Sequence, residues 1–133
     1  MTGLHFFLDR SLGRRQVPNA LREDGWDLVT LAEHYGIPTD ETVRDVEWLE
    51  LAGRQGWPVL MKDEKIRYRP AERAAVIAHG VTAFYLTSGN LSSSQMSGSY
   101  IAHRETIWRL AIERGPSLFA VSREGVRKIQ LEG

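Results

Sequence analysis

Leu4-His5-Phe6-Phe7-Leu8-Asp9 carries the strongest signal for the fold of this 133-residue chain. Its apolar run is typical of a buried strand, and a carboxylate follows directly at the carboxyl end. Pro58-Val59-Leu60-Met61-Lys62-Asp63 repeats this arrangement further along the chain. Open α/β sheets bind ligands at the carboxyl ends of their strands, so adjacent parallel strands would bring Asp9 and Asp63 together. The two stretches therefore predict a site for a divalent cation at that edge.

Strands alternate with helices along the rest of the chain. The predicted strands cover residues 4–8, 27–31, 59–61 and 81–86, followed by a terminal hairpin of 118–121 and 126–131. The predicted helices cover residues 17–23, 39–55, 70–79 and 97–114. This alternation predicts an α/β three-layer sandwich, in which helices cover both faces of a mostly parallel central sheet. From the length we expect residues 1–133 to form a single domain.

Composition excludes several classes of protein. Cysteine is absent, which excludes disulfides, thiolate catalysis and zinc–thiolate sites. No apolar stretch approaches the ~20 residues that span a bilayer, and no signal-peptide pattern opens the chain, so we expect a cytoplasmic protein without membrane contact. Basic and acidic residues balance at 17 each. Attraction of a polyanion would therefore depend on local clusters of charge.

Two clusters of basic residues lie close in sequence to the acids that end the strands. They consist of Arg10, Arg14, Arg15 and Arg22, and of Lys62, Lys65, Arg67, Arg69 and Arg73. Each cluster is either a solvated surface or a rim that contacts phosphates. Arg10 directly follows Asp9, and it could reach a phosphate or pair with an acid.

A third acid, Asp45, lies on the apolar face of the helix predicted between the two strands. Asp45, Trp48, Leu49 and Ala52 have the i, i+3, i+4, i+7 spacing of one helix face. Mg²⁺ keeps several waters, so two or three carboxylates are enough to bind it. Three acids could therefore converge on one ion.

Each of the three acids also has an ordinary structural role open to it. Asp9 could cap the following turn, and Asp45 could be a surface acid of its helix. Asp63 could be a turn acid paired with Lys62 or Lys65.

Three segments together resemble the PIN-domain nucleases, especially the short VapC-type toxins. They are Phe6-Phe7-Leu8-Asp9-Arg10-Ser11, Asp45-Val46-Glu47-Trp48-Leu49-Glu50-Leu51-Ala52 and Val59-Leu60-Met61-Lys62-Asp63-Glu64-Lys65-Ile66. The resemblance implies an Mg²⁺- or Mn²⁺-dependent endoribonuclease, the toxin of a type II toxin–antitoxin pair. Its partners would be the RNA substrate, a cognate antitoxin and, in a homodimer, a second copy of the chain.

The resemblance also assigns roles to residues. Asp9, Asp45 and Asp63 would be the catalytic, metal-binding carboxylates. Arg10, Lys62 and Lys65 are the candidate RNA-binding residues. The helix at 97–114 or the region 26–35 would provide the surface for the antitoxin.

The sequence departs from the family pattern in two places. Many PIN domains carry a fourth acid after the fourth strand, whereas here that region reads Leu86-Thr87-Ser88-Gly89-Asn90. Ser88 or Asn90 could bind through water, or the site could hold a single metal. Met61 replaces the hydroxyl residue that usually precedes the third acid. These departures affect the expected number of metals and the catalytic rate more than the fold.

Three alternatives share some of these features. A phosphoacceptor receiver domain also has acids at two strand ends, but it would need a second acid beside Asp9 and a lysine where Ser122-Arg123 stands. A haloacid-dehalogenase-like phosphatase would need an aspartate at the position of Ser11. A PIN-like fold kept as a binding module, with weak or no catalysis, would account for the missing fourth acid.

Overall fold

A six-stranded sheet forms the centre of the fold. The computed structural model describes residues 4–62, 64–88 and 90–131, so the prediction for Asp63 lies outside the described residues. The strand order is β2-β1-β3-β4-β5-β6. The strands are β1 (Phe6–Leu8), β2 (Leu28–Thr30), β3 (Val59–Met61), β4 (Thr82–Leu86), β5 (Ser117–Ser122) and β6 (Gly125–Ile129). Strands β1 to β5 are parallel and β6 is antiparallel to β5, which confirms the predicted sheet and its terminal hairpin.

Helices cover both faces of this sheet, as predicted for a three-layer sandwich. The helices are α1 (Gln16–Glu23), α2 (Leu31–Tyr35), α3 (Asp45–Gln55), α4 (Pro70–His79), α5 (Ser93–Ala102) and α6 (Arg104–Ile112). Buried residues of α2, α3 and α4 share one core with the sheet, and those of α1, α5 and α6 share the other.

The two cores exist because side chains alternate along each strand. Phe7 of β1 belongs to the core beneath α3 and α4, whereas its neighbours Phe6 and Leu8 belong to the core beneath α1, α5 and α6. In β3, Leu60 likewise faces the second core, between two residues of the first. All three residues of each strand are buried, which explains why β1 and β3 read as continuous apolar runs.

The helix predicted over residues 39–55 is shorter than expected. A 3₁₀ turn occupies Thr39–Glu41, and α3 begins only at Asp45. Arg10 provides the reason, because its side chain donates to the backbone carbonyls of Asp40 and Val43. Because these two carbonyls accept hydrogen bonds from Arg10, the regular backbone hydrogen bonds of the helix begin after them.

Two further boundaries differ from the sequence prediction. The strand expected at 27–31 ends at Thr30, whose hydroxyl accepts from the amide of Glu33 at 3.1 Å and so opens α2. The helix expected at 97–114 is two helices, and the first starts earlier, with Ser92 as its N-cap. The break falls at His103, whose backbone is not helical and whose Nε2 lies 2.8 Å from the carbonyl oxygen of Ser122.

In the part of the chain that the structure describes, every helix is too short or too polar to cross a membrane.

Candidate active site

Asp9 lies at the carboxyl edge of the sheet, directly after β1. Phe7 and Leu8 pair in parallel with Val59 and Leu60 of β3, and the amide of Asp9 donates to the carbonyl of Leu60 at 3.0 Å. The residues that follow β1 and β3 therefore lie side by side, as the sequence predicts. The next residues of β3 lead toward position 63, which is outside the described ranges.

Ser11 joins these two strand ends. Its hydroxyl donates to Oδ2 of Asp9 at 2.7 Å and accepts from the backbone amide of Lys62 at 3.0 Å. One side chain thus fixes the orientation of the Asp9 carboxylate relative to the end of β3. From sequence, Ser11 belonged to the first PIN-like segment and counted against phosphatase chemistry, without a role of its own. Its position two residues after the strand-end acid was the signal for this role.

The carboxyl group of Asp9 is buried, and one of its oxygens lacks a partner. The residue is 8% exposed, and Oδ1 has no hydrogen-bond partner among the residues the structure describes. Burial raises the pKa of Asp9 above its ordinary value, and the nearby charge of Asp45 raises it further, while the hydrogen bond from Ser11 opposes both. A buried carboxylate oxygen without a donor is costly unless a cation or a proton compensates it.

Asp45 is the first residue of α3 and lies at the same edge of the sheet as Asp9. Its Oδ1 accepts from Nη1 of Arg10 at 3.0 Å and from the indole Nε1 of Trp48 at 2.9 Å. Its side chain is 24% exposed, so it borders both the protein and solvent. Arg10 directly follows Asp9 in sequence, and its bond to Asp45 spans 35 positions of the chain. The structure therefore brings Asp9 and Asp45 near each other.

Arg10 binds three groups of the protein although about a third of its side chain is exposed. It donates to the carbonyl of Asp40 at 3.0 Å, to the carbonyl of Val43 and to the carboxylate of Asp45. Of the two roles considered from sequence, the structure supports pairing with an acid. Nη1 and Nη2 each keep a second N–H and the side chain is 34% exposed, so contact of Arg10 with RNA stays a prediction.

Glu72, in the first turn of α4, is an acid at this edge that was not among the predicted site residues. Its side chain is 16% exposed, and its carboxyl group lies close to that of Asp45, since both contact Nη1 of Arg69. Burial and the charge of Asp45 raise the pKa of Glu72 to about 7, although Arg69 opposes the shift. The sequence signal that could have located Glu72 at this site was its position in the first turn of the helix after β3, because that turn starts near the carboxyl edge of the sheet.

Arg69 completes this group of charges. Its Nη1 lies 3.5 Å from Oε2 of Glu72 and 3.8 Å from Oδ2 of Asp45. The arginine immediately precedes α4 and is 46% exposed. The second basic cluster of the sequence thus reaches the candidate acids through Arg69.

The remaining predicted residues follow β3 and β4 at this edge. The amide of Lys62 is bound to Ser11, and Lys65 lies on the surface in a 3₁₀ helix, Glu64–Arg67. Ser88 and Asn90 are exposed after β4. Within the described ranges, neither of them hydrogen-bonds Asp9 or Asp45, so their role as replacements for a fourth acid stays a prediction.

The donor set at this edge fits a hard divalent cation. Carboxylate oxygens are the ligands that Mg²⁺ and Mn²⁺ prefer, and the unpartnered Oδ1 of Asp9 is such an oxygen. Over residues 4–62, 64–88 and 90–131, however, no three acidic or histidine side chains form a ready-made cluster. Of the three predicted ligands, the structure describes Asp9 and Asp45 at this edge, and Asp63 stays a prediction.

The region 26–35 combines buried and exposed side chains. Trp26 is buried and packs edge-on against Trp108, whereas Asp27, Glu33 and His34 are exposed, so the antitoxin-binding surface at 26–35 stays a prediction that rests on these exposed residues.

A groove of about 360 Å³ runs beside Arg10 and Arg14, and its acidic lining residues are Asp40 and Glu41 rather than the candidate acids. A cavity of about 670 Å³ lies at the opposite edge, near Val81 and Thr82, and no candidate acid lines it.

Comparisons with known proteins agree with this geometry. The family described as "PIN like domain" matches residues 4–88, a range that holds all three candidate acids. A curated relative from Mycobacterium tuberculosis, named "Putative ribonuclease VapC45", is 37% identical over 117 residues, which cover 88% of this chain and 85% of the relative. No solved structure gives a significant match. The match across both sheet-edge motifs and the sequence identity to this relative establish that the chain belongs to the PIN-like domain family, of the VapC type.

Proposed function

We propose that the chain is a metal-dependent endoribonuclease that hydrolyses RNA phosphodiesters. The observation that carries the proposal is the buried Asp9 carboxylate, whose Oδ1 has no partner among the described residues and which lies beside Asp45 at the carboxyl edge of the sheet. Such an oxygen is stabilised by a cation. The name of the mycobacterial relative supports RNA as the substrate class.

Asp9, Asp45 and Asp63 would hold the Mg²⁺ or Mn²⁺ ion. When bound, the ion supplies Lewis acidity and positive charge at the scissile phosphate. Ser11 orients the Asp9 carboxylate through its hydrogen bond to Oδ2, and this leaves Oδ1 directed away from Ser11. Arg10 holds Oδ1 of Asp45, which fixes the second carboxylate relative to the first.

Basic residues around the edge would bind the RNA backbone. Lys62 and Lys65 follow β3 and are the first candidates for phosphate contacts. Because the chain has no net charge, RNA affinity would come from these local cations and fall steeply as salt is added.

The test is RNA cleavage by the purified chain in the presence of Mn²⁺. Asp9→Asn and Asp63→Asn are each expected to abolish cleavage while leaving the circular dichroism spectrum unchanged. Asp27→Asn is the matched control, because Asp27 is an exposed acid paired with His5 and is remote from the carboxyl edge. Cleavage by both site variants at the rate of the unchanged protein would refute the proposal.

Calorimetric titration with Mn²⁺ separates the nuclease from a PIN-like binding module. The nuclease requires binding that Asp9→Asn and Asp45→Asn weaken by at least tenfold. A folded chain that binds no Mn²⁺ would instead be a binding module. The receiver alternative has the same order for the first five strands, but Arg10 stands in place of its second acid and is bound to Asp45.

We further propose that the chain is the toxin of a type II toxin–antitoxin pair. The similarity to a VapC-type relative supports this role. Expression in a bacterial host should arrest growth, and Asp9→Asn should remove the arrest. Co-expression of the product of the adjacent gene should restore growth without changing the amount of the chain. Normal growth at high expression of the active protein would contradict the role.

A further inference from the structure

We propose that Arg69 is a displaceable counter-ion of Asp45. When the divalent cation binds the Asp45 carboxylate, Arg69 leaves this carboxylate and contacts a phosphate of the RNA. The inference rests on the proposed function, since it requires the cation and the RNA. It assigns to Arg69 a role that differs from that of Arg10, although both arginines contact the same carboxylate.

The two oxygens of Asp45 have different environments. Oδ1 accepts two short hydrogen bonds, from Arg10 at 3.0 Å and from Trp48 at 2.9 Å. Trp48 is buried and Arg10 is anchored on two backbone carbonyls, so both donors are fixed. Oδ2 is contacted by Arg69 at 3.8 Å. Oδ2 is therefore the oxygen that can turn to a cation without breaking the fixed contacts.

Arg69 is held much more loosely than Arg10. Its ion-pair contacts, at 3.8 Å to Asp45 and 3.5 Å to Glu72, are long, and nearly half of its side chain is exposed. No side-chain bond from Arg69 to a backbone carbonyl occurs within residues 4–62, 64–88 and 90–131. Exposed ion pairs of this kind contribute little free energy, so a divalent cation can displace the guanidinium.

Displacement would leave the guanidinium at the edge where the RNA must lie. A cation on Asp45 would repel Arg69, and the released side chain would carry a planar fork of donors that matches a phosphate. Arg69 immediately precedes α4 and belongs to the basic cluster that follows β3, so its phosphate would be close to the scissile one. Metal binding would in this way prepare a contact for the substrate.

The first arm of the test measures Mn²⁺ affinity of the full chain by titration calorimetry at low salt. Removing the competitor with Arg69→Gln should tighten Mn²⁺ binding by about two- to fivefold, the range that an exposed ion pair allows. Arg73→Gln removes the same charge one turn further along α4, where the side chain donates to the carbonyls of Arg67 and Gln130. Arg54→Gln removes it near the far end of α3. Both controls should leave Mn²⁺ affinity unchanged.

The second arm measures binding of a slowly cleaved phosphorothioate RNA by fluorescence anisotropy, with and without Mn²⁺. With Mn²⁺, Arg69→Gln should weaken RNA binding by about two- to fivefold. Without Mn²⁺, the variant and the unchanged protein should bind equally, because Arg69 then stays on Asp45. Arg69→Lys keeps the charge, so with Mn²⁺ its RNA affinity should lie between that of the unchanged protein and that of Arg69→Gln.

The outcomes distinguish this inference from the proposed function. If Asp45→Asn binds Mn²⁺ as well as the unchanged protein does, the proposed metal site is wrong. If Asp45→Asn loses Mn²⁺ binding but Arg69→Gln does not tighten it, the metal site stands and the counter-ion role is overturned. If Arg69→Gln weakens RNA binding equally with and without Mn²⁺, the displacement by metal is overturned.

Discussion

The guanidinium of Arg10 lies 3.0 Å from Oδ1 of Asp45, so the residue next to the first candidate acid in sequence holds the second one in space. The same side chain binds the carbonyls of Asp40 and Val43 and thereby sets where α3 begins. One arginine thus connects the end of β1, the segment before α3 and the candidate site.

Arg10→Gln should destabilise the protein and disturb the site together. The change removes three hydrogen bonds, two of them to backbone carbonyls, and we expect the free energy of unfolding to fall by about 1–3 kcal/mol. Urea denaturation measures this loss. Mn²⁺ affinity should fall as well, because Asp45 loses its fixed donor. Arg15→Gln, which changes an exposed arginine five residues later, is the control and should change neither quantity.

Ser11→Ala should remove the connection between the two strand ends. It leaves Oδ2 of Asp9 and the amide of Lys62 without their partner, which should cost about 1–3 kcal/mol of stability. It should also raise the pKa of Asp9 further, since the hydrogen bond from Ser11 lowers that pKa. The acidic limb of the pH–rate profile should move to higher pH. Ser11→Thr keeps the hydroxyl and should restore both properties; a threonine variant as impaired as the alanine variant would contradict the role.

The raised pKa of Glu72 should make the protein less stable as the pH rises. Its pKa is raised from 4.5 to about 7 in the folded protein, so the folded state binds more protons than the unfolded chain between these values. The free energy of unfolding therefore falls as the pH rises through this window. Glu72→Gln removes the titrating group and should flatten the dependence between pH 5 and pH 8, measured by urea denaturation at fixed ionic strength. Parallel curves for the two proteins would show that Glu72 is not the group responsible.

Gly53 marks the closest approach of α3 to α4. A Cβ at this position would lie 2.4 Å from the carbonyl oxygen of His79, so Gly53→Ala should push the helices apart and lower the melting temperature. Gly98 in α5 has no atom within 4 Å of such a Cβ. Gly98→Ala should therefore stabilise the protein by up to about 1 kcal/mol, the helix propensity that Ala gains over Gly. Equal effects of the two changes would argue against the close contact.

Much of the fold could be predicted because its strands are short, apolar and separated by clear helix signals. Gly56 and Gly80 have the left-handed backbone expected at the ends of α3 and α4. The boundaries that were wrong depend on distant residues. The residues of the segment 39–44 do not indicate that Arg10 will bind two of its carbonyls. The residues around His103 do not indicate that its ring will bond the carbonyl of Ser122.

The placement of Asp9 and Asp45 at the carboxyl edge could be predicted from the sequence, whereas the groups that surround them could not. Asp9 could be located because strand polarity alone determines which edge it occupies. Glu72 could not, since its relation to Asp45 depends on how α4 packs against α3. The environment of Asp45 depends likewise on Arg10, Trp48 and Arg69, which the fold brings together from three separate segments.

The hydroxyl of Tyr100 lies 2.6 Å from the carbonyl oxygen of Met61 and 3.2 Å from that of Phe84. The family match ends at residue 88, yet this side chain from α5 reaches back to the end of β3 and the middle of β4, near Asp9. A chain cut after residue 88 would lack α5 and α6, which would leave these two carbonyls and the part of the apolar core beneath these helices open to water. The segment beyond the matched region therefore forms the floor of the candidate site, and variation in it should alter the proposed activity without any change to an acid.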